Sequence, residues 1–247
     1  MKILICIKPN ITGQEIGPLE AHAVEAGLRL KDSDSSCLVD VITAGPPKWA
    51  NILHRALGMG ADNAFHILTD HKNERPDGLV PASETAELLS RALTCTDFTP
   101  EYDLILTGIM SQDLMAGQVG PMLAVHMQIT FATGVVRLNH QSGSLACHRD
   151  WEGGKRETLE IPLPALVSIQ AGHYTPRYPS LSNILKAASA EIQTITLREL
   201  DLAGMQPDAI FLDTIEPQKS RAGEMINGSI EKQVRIFTSF LQERALL

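Results

Sequence analysis

A chain of 247 residues, 44% of them hydrophobic, is long enough to build one large α/β core. Its net charge of −8, with no basic stretch, argues against a phosphate-backbone partner such as DNA or RNA. Cys6, Cys37, Cys95 and Cys147 form no CxxC pair and His54, His66, His126 and His173 fall in no ligand spacing, so reduced thiols in the cytoplasm are expected, without a metal centre. The opening run KILICIK is too short to cross a membrane and carries no cleavage site, so neither a transmembrane segment nor a signal peptide is expected.

In chain order, residues 3–7 predict a strand, and Leu19, Ala23, Ala26, Gly27 and Leu30 mark the buried side of a helix. Residues 38–43 predict a second strand. A helix through Trp49, Ile52, Leu53, Ala56 and Leu57 follows Pro46-Pro47 and stops near Gly58 and Gly60. Residues 64–68 predict a third strand and 70–78 a polar loop. Ser83 is placed to cap a helix carrying Ala86, Leu89 and Leu93, and residues 103–107 predict strand four. Near-continuous apolar strands joined by helices imply a mostly parallel sheet with helices on both faces. Beyond residue 130 the rhythm shortens. Residues 134–139, 144–151, 157–161 and 165–169 read as strands, with Gly153-Gly154 as a hairpin turn, so antiparallel pieces are added to the sheet. A short helical run over 183–190, an extended tail over 203–229 and an amphipathic segment over 230–246 complete the chain.

The most informative stretch is 103–124, DLILTGIMSQDLMAGQVGPMLA: a strand, a small-residue loop and a helix start. In this arrangement backbone N–H groups at a helix N-terminus can hold a phosphate. Neither the GxGxxG nor the GxxxxGK[ST] spacing is present, so a loop whose glycines serve turning only is the competing reading. Asp113 fits two roles, orienting a ribose or flavin edge, or closing an Asx-turn on its own backbone, the commoner of the two. No HExxH, GxSxG or paired-carboxylate motif identifies a catalytic set, so no catalytic residue is expected. In PRYPSLSNILKA, 176–187, Arg177 and Tyr178 stand between two prolines and Leu181 precedes a helix. That loop either packs on its own domain, with Leu181 as a staple, or presents an apolar knob to another protein.

Several segments resemble one family, the β subunit of electron-transfer flavoproteins. They are MKILICIKPN at the start, GPLEAHAVEAGLRLKDS at 17–33, VITAGPPKWANILHRALGMGADNAFHI at 41–67, and RDWEGGKRETLEIPLPALVS at 149–168, the last being similar to the family signature. Cys147 departs from the family's preference for Ile, Val, Ala or Gly, and Ser182 replaces the proline that commonly follows the loop leucine. The resemblance implies a Rossmann-like, adenine nucleotide alpha hydrolase-like domain over 1–200. It also implies a C-terminal arm and helix over 201–247 that docks on an α subunit. It implies an electron carrier rather than an enzyme: the heterodimer carries FAD, accepts electrons from a flavin-dependent dehydrogenase and passes them to a quinone oxidoreductase or another acceptor. This chain would hold a second nucleotide, AMP or, as in electron-bifurcating members, a second FAD. By position its contacts would be Cys6, Gly17, Pro18, Leu19, Glu20, Ala44, Ala116, Gly117, Gln118, Val119, Gly120, Pro121 and Met122, with Asp113 beside them. QVGP at 118–121 stands where AMP-binding members have NQTG, which favours flavin. Leu181 falls on the family's anchoring leucine, with Arg177 and Tyr178 in the same docking loop. The alternative is an adenine-nucleotide-binding regulatory module without a redox role.

Overall fold

The computed structural model describes residues 1–69, 80–94, 101–202, 223 and 225–246. Cys95, the polar loop over 70–78 and most of the expected tail, 203–222 and 224, lie outside the described residues. The chain divides into two compact units, Met1–Ile210 and Phe211–Leu247.

The first unit is built on a sheet of strands β1 (Lys2–Cys6), β2 (Leu38–Gly45), β3 (Asn63–Leu68), β4 (Leu104–Gly108), β5 (Thr130–Gln141), β6 (Ser144–Trp151), β7 (Lys155–Pro162), β8 (Ala165–Ile169) and β9 (Gln193–Thr196). Their order is β7-β6-β5-β8-β4-β1-β2-β3-β9. All pairs are parallel except β5–β6 and β6–β7. The central strands are apolar on both faces because both are covered. Ile3, Ile5, Val39 and Val41 pack on helices α1 (Pro18–Ser33) and α2 (Ala50–Met59), while Leu4, Ile42 and Ile105 pack on α3 (Ala82–Thr94) and α4 (Val119–Met127). The sheet is thus a mixed, mostly parallel α/β core of the Rossmann-like kind.

Three local expectations are corrected and one unexpected strand is added. Ser83 does not cap α3: the helix already runs at Ala82, and its entry is closed by Thr85, whose backbone N and Oγ1 both donate to the Pro81 carbonyl. Helix α5 (Leu181–Ala188) starts two residues earlier than expected, capped by Ser180, whose Oγ accepts from the Asn183 N–H at 3.3 Å. Leu181 is therefore its first helical residue. Strand β9 was not expected. Its sequence QTIT has one buried apolar residue, Ile195, too little to set a period of two. The strand expected from residue 134 begins at Thr130 and bends at Gly134, at φ 69°, where its register against β8 shifts. Gly153 and Gly154, both at positive φ, turn β6 into β7, and Arg149 pairs with Glu157 across that hairpin.

In the second unit the described element is α6 (Ile230–Glu243), capped by Ser229 and carrying exposed Ile230, Val234 and Phe237 on one stripe. No helix among the described residues is long and apolar enough to cross a membrane.

Candidate functional site

Strands β1 and β4 are neighbours, yet the chain leaves them in opposite directions. After β1 it enters α1 on one face of the sheet, and after β4 it enters α4 on the other. Such a reversal opens a crevice at the carboxyl ends of the strands. A cleft open to solvent lies there. The ends of β1, β2 and β4, the starts of α1 and α4, and the loop over 109–118 line it.

Two glycines bring the walls together. Gly108, the last residue of β4, passes so close to the first turn of α1 that a Cβ there would lie 2.9 Å from the Glu20 nitrogen. Gly120, in the first turn of α4, sits against the Thr107 and Ser168 hydroxyls, themselves 3.0 Å apart; a Cβ at 120 would come within 2.6 Å of Ser168 Oγ. No side chain caps α4, and Pro121 has no N–H, so the N–H groups of Val119 and Gly120 are left for a ligand at that helix start.

The intervening loop is pinned. Lys8 Nζ lies 2.5 Å from Asp113 Oδ2, and Asp113 Oδ1 accepts from the Leu114 N–H at 2.7 Å. Burial alone would raise the Asp113 carboxyl, but the bonds from Lys8 and Ser111 outweigh it and hold the group below its usual range. Asp113 thus bonds the N–H of the next residue, not the one two residues on that an Asx-turn needs, and forms an ion pair with Lys8 just past the end of β1.

Glu20 is the opposite case. It is 5% exposed, and burial pushes its carboxyl up to about 7; its own backbone N–H and Lys8 work against that shift, and Asp113 adds to it. Its Oε2 has no hydrogen-bond partner, and neither has Thr43 Oγ1 at the end of β2. Among the described residues these are the two buried side-chain polar atoms left unpaired, and both residues line the cleft. Buried polar atoms are almost always satisfied, so a pair of exceptions in one cavity leaves two groups able to meet the polar atoms of a ligand. Cys6 lines the same wall, but burial pushes its thiol up to about 12, so it is a neutral lining group and not a nucleophile.

Of the residues expected at the site, Cys6, Glu20, Ala44, Ala116, Gly117, Gln118, Val119 and Gly120 line the cleft. Gly17, Pro18 and Leu19 stand behind Glu20 as the turn into α1, with the Gly17 N–H donating to the Lys8 carbonyl at 2.8 Å. Asp113 flanks the site through Lys8, while Pro121 and Met122 lie inside the first turn of α4, outside the wall. Sequence reading missed Lys8, Thr43 and Trp49, and with them Ala82, Thr85 and Leu89 of α3. Lys8 carried a signal, as the cation ending an apolar strand; the others carried none.

Of the three loop residues expected to meet a partner, the structure presents two and turns the third inward. Tyr178 and Leu181 are 86% and 73% exposed. Arg177 instead grips α1: its Nε donates to Glu25 Oε2 at 2.8 Å and its Nη2 to Asp32 Oδ2 at 2.7 Å. Glu25 is fully buried, yet hydrogen bonds from Arg177 and Arg29 outweigh that burial and hold its carboxyl below the usual range. Leu181, Ile184 and Leu185 leave an apolar stripe of α5 exposed, while Ala187 on the other side is buried and its carbonyl meets His54 Nδ1 of α2 at 2.8 Å.

Comparison with known proteins adds a third line. A family model described as the electron transfer flavoprotein domain matches residues 10–200. The chain is similar to the mitochondrial electron transfer flavoprotein subunit beta of Oryza sativa subsp. japonica, at 34% identity over 92% of this chain and 94% of that protein. It is also similar to electron transfer flavoprotein subunit beta of Bacillus subtilis (strain 168), at 30% identity over 93% of this chain and 86% of that one. A further relative is the caffeyl-CoA reductase-Etf complex subunit CarD of Acetobacterium woodii, at 29% identity over 89% of this chain and 82% of that one.

Proposed function

Because the chain belongs to the electron transfer flavoprotein domain family, as a β-type electron-carrier subunit, we propose that its β1–β4 cleft holds a nucleotide and that it works paired with an α-type subunit. The observation that carries this reading is the pair of unpaired buried atoms, Glu20 Oε2 and Thr43 Oγ1, in one cleft wall. They fit the hydroxyls or ring edge of a nucleotide, and the Val119 and Gly120 N–H groups fit its phosphate. We favour FAD over AMP as occupant. Between Ala116 and Met122 the one side chain able to hydrogen-bond through N or O is Gln118, so the loop would hold its ligand through backbone, as the QVGP resemblance also implies. Bound FAD supplies redox chemistry through its isoalloxazine ring. The chain's own part is to bind it, orient it and keep Lys8 and Asp113 engaged with each other beside it. No residue here is assigned as acid or base.

Tyr178, Leu181 and the exposed stripe of α5 are proposed to dock a flavin-dependent dehydrogenase, with Arg177 holding the loop in place. The electrons would leave for a quinone oxidoreductase or another acceptor. The segment over 201–247, through α6, is proposed to dock on the α subunit. Cys6, Cys37 and Cys147, all free and buried, suit the reducing cytoplasm. The test is to co-express the chain with its α-type partner, denature the purified pair and count released nucleotides. Two FAD per pair supports the reading, one FAD with one AMP reassigns the occupant to AMP, and a single FAD with nothing else overturns the nucleotide site.

A further inference from the structure

We propose that Trp49 positions the planar ring of the cleft's nucleotide by stacking its indole against it; this rests on the nucleotide reading above and adds a residue that the resemblance does not assign. Trp49 ends the 3₁₀ turn Pro47–Trp49, entered from β2 through Gly45 and Pro46. Its ring lies directly on Gly45, where a Cβ would come within 2.0 Å of the indole. Gly45 is in turn held by His66, whose Nε2 meets its carbonyl at 3.2 Å. The indole is therefore backed by fixed main chain on one side, and it lines the cleft.

The chemistry of the cleft changes along its length. Uncapped N–H groups stand at the α4 start over the seam of β4 and β8, and Lys8, Asp113 and Glu20 cluster near the middle. At the β2 end the wall is Trp49 with Ala44, Ala82 and Leu89 and the hydroxyl-bearing Thr43 and Thr85, none of them charged. From that seam to β2 is two to three strand spacings, about 10–15 Å, a span that a nucleotide laid from phosphate to base can bridge. An aromatic, uncharged end at that distance suits a flat heterocycle, and a stacked pair gains beyond simple area burial.

The experiment uses the heterodimer stripped of nucleotide and titrated with AMP, FAD and ribose 5-phosphate, which keeps the phosphate and lacks the ring. Trp49→Leu is expected to weaken AMP or FAD binding about three- to tenfold while leaving ribose 5-phosphate unchanged, and Trp49→Phe to bind close to wild type. The indole emission lost on ligand addition, taken as wild type minus Trp49→Phe, is expected for AMP or FAD and absent for ribose 5-phosphate; this readout stands even if Trp49→Leu does not fold. A Trp49→Leu protein that binds AMP and FAD as tightly as wild type, or no ring-dependent difference in emission, overturns the stacking alone. Wild-type protein that binds none of the three overturns the nucleotide site and the stacking with it.

Discussion

Lys8, just past the end of β1, and Asp113, in the loop after β4, meet at 2.5 Å and tie the two strands that flank the cleft. The pair is partly shielded, so it counts for more than a surface ion pair and less than a buried one. Asp113→Asn is expected to weaken nucleotide retention roughly five- to tenfold, about 1 kcal/mol, with little change in melting temperature. Dialysis of the loaded heterodimer followed by a nucleotide count checks this, and unchanged retention would show that the tie is not needed.

Glu20 makes stability depend on pH with an unusual sign for a carboxyl. Its folded value, about 7, lies above the ordinary 4.5, so the folded chain holds the proton more tightly than the unfolded chain does. Stability contributed by the neutral form is complete below about 4.5, falls as pH rises to about 7, and levels off above. Glu20→Gln in nucleotide-free protein should therefore match wild type at pH 4.5 and exceed it at pH 8 by on the order of 3 kcal/mol at most. Urea unfolding at the two pH values tests this, and parallel curves for the two proteins across the range would refute it.

Gly120→Ala forces a methyl against Ser168 Oγ and Thr107 Oγ1. The expected cost is about 1–3 kcal/mol, with loss of bound nucleotide as the α4 start is displaced. Adding Ser168→Ala removes the closest atom and should recover part of both. Thermal melts of single and double variants decide it; equal instability in the two would place the clash elsewhere.

Arg177 and Leu181 lie four residues apart and should separate stability from transfer. Arg177→Met leaves Glu25 buried with Arg29 as its remaining partner, a loss of roughly 3 kcal/mol less what Arg29 recovers. Glu25 is held below the usual carboxyl range, so the stability it contributes is present at neutral pH and disappears as the solution is acidified through its folded value. Wild type should thus lose more stability on acidification than Arg177→Met. Leu181→Ala should leave stability, heterodimer and cofactor content intact and slow electron acceptance from the dehydrogenase severalfold, as removal of an exposed anchor does. A wild-type rate in stopped-flow reduction would remove Leu181 from the docking role.

Much of this fold was legible because buried parallel strands write themselves as apolar runs, as in KILIC or LILTG, and because glycines mark a helix start brought close to the sheet. The cleft was legible where one segment supplies it, from Ala116 to Gly120. Thr43 and Trp49 were not, since their place depends on β2 lying beside β1 and on an indole folding back over Gly45. Arg177 was read from its position between prolines, whereas its direction is set by Glu25, 152 residues earlier. β9 is a strand by virtue of pairing with β3, and its own residues carry almost no pattern.

Helix α1 runs 16 residues, about 24 Å, with Glu20 in its first turn, Glu25 one to two turns on and Asp32 near its far end. The first faces the cleft; the other two hold Arg177. One rigid strut therefore sets the coordinates of both places. A tilt of α1 that moved its first turn would swing the loop bearing Tyr178 and Leu181 with it, so the distance between that loop and the cleft is fixed by a single rod and is not the sum of several loose joints.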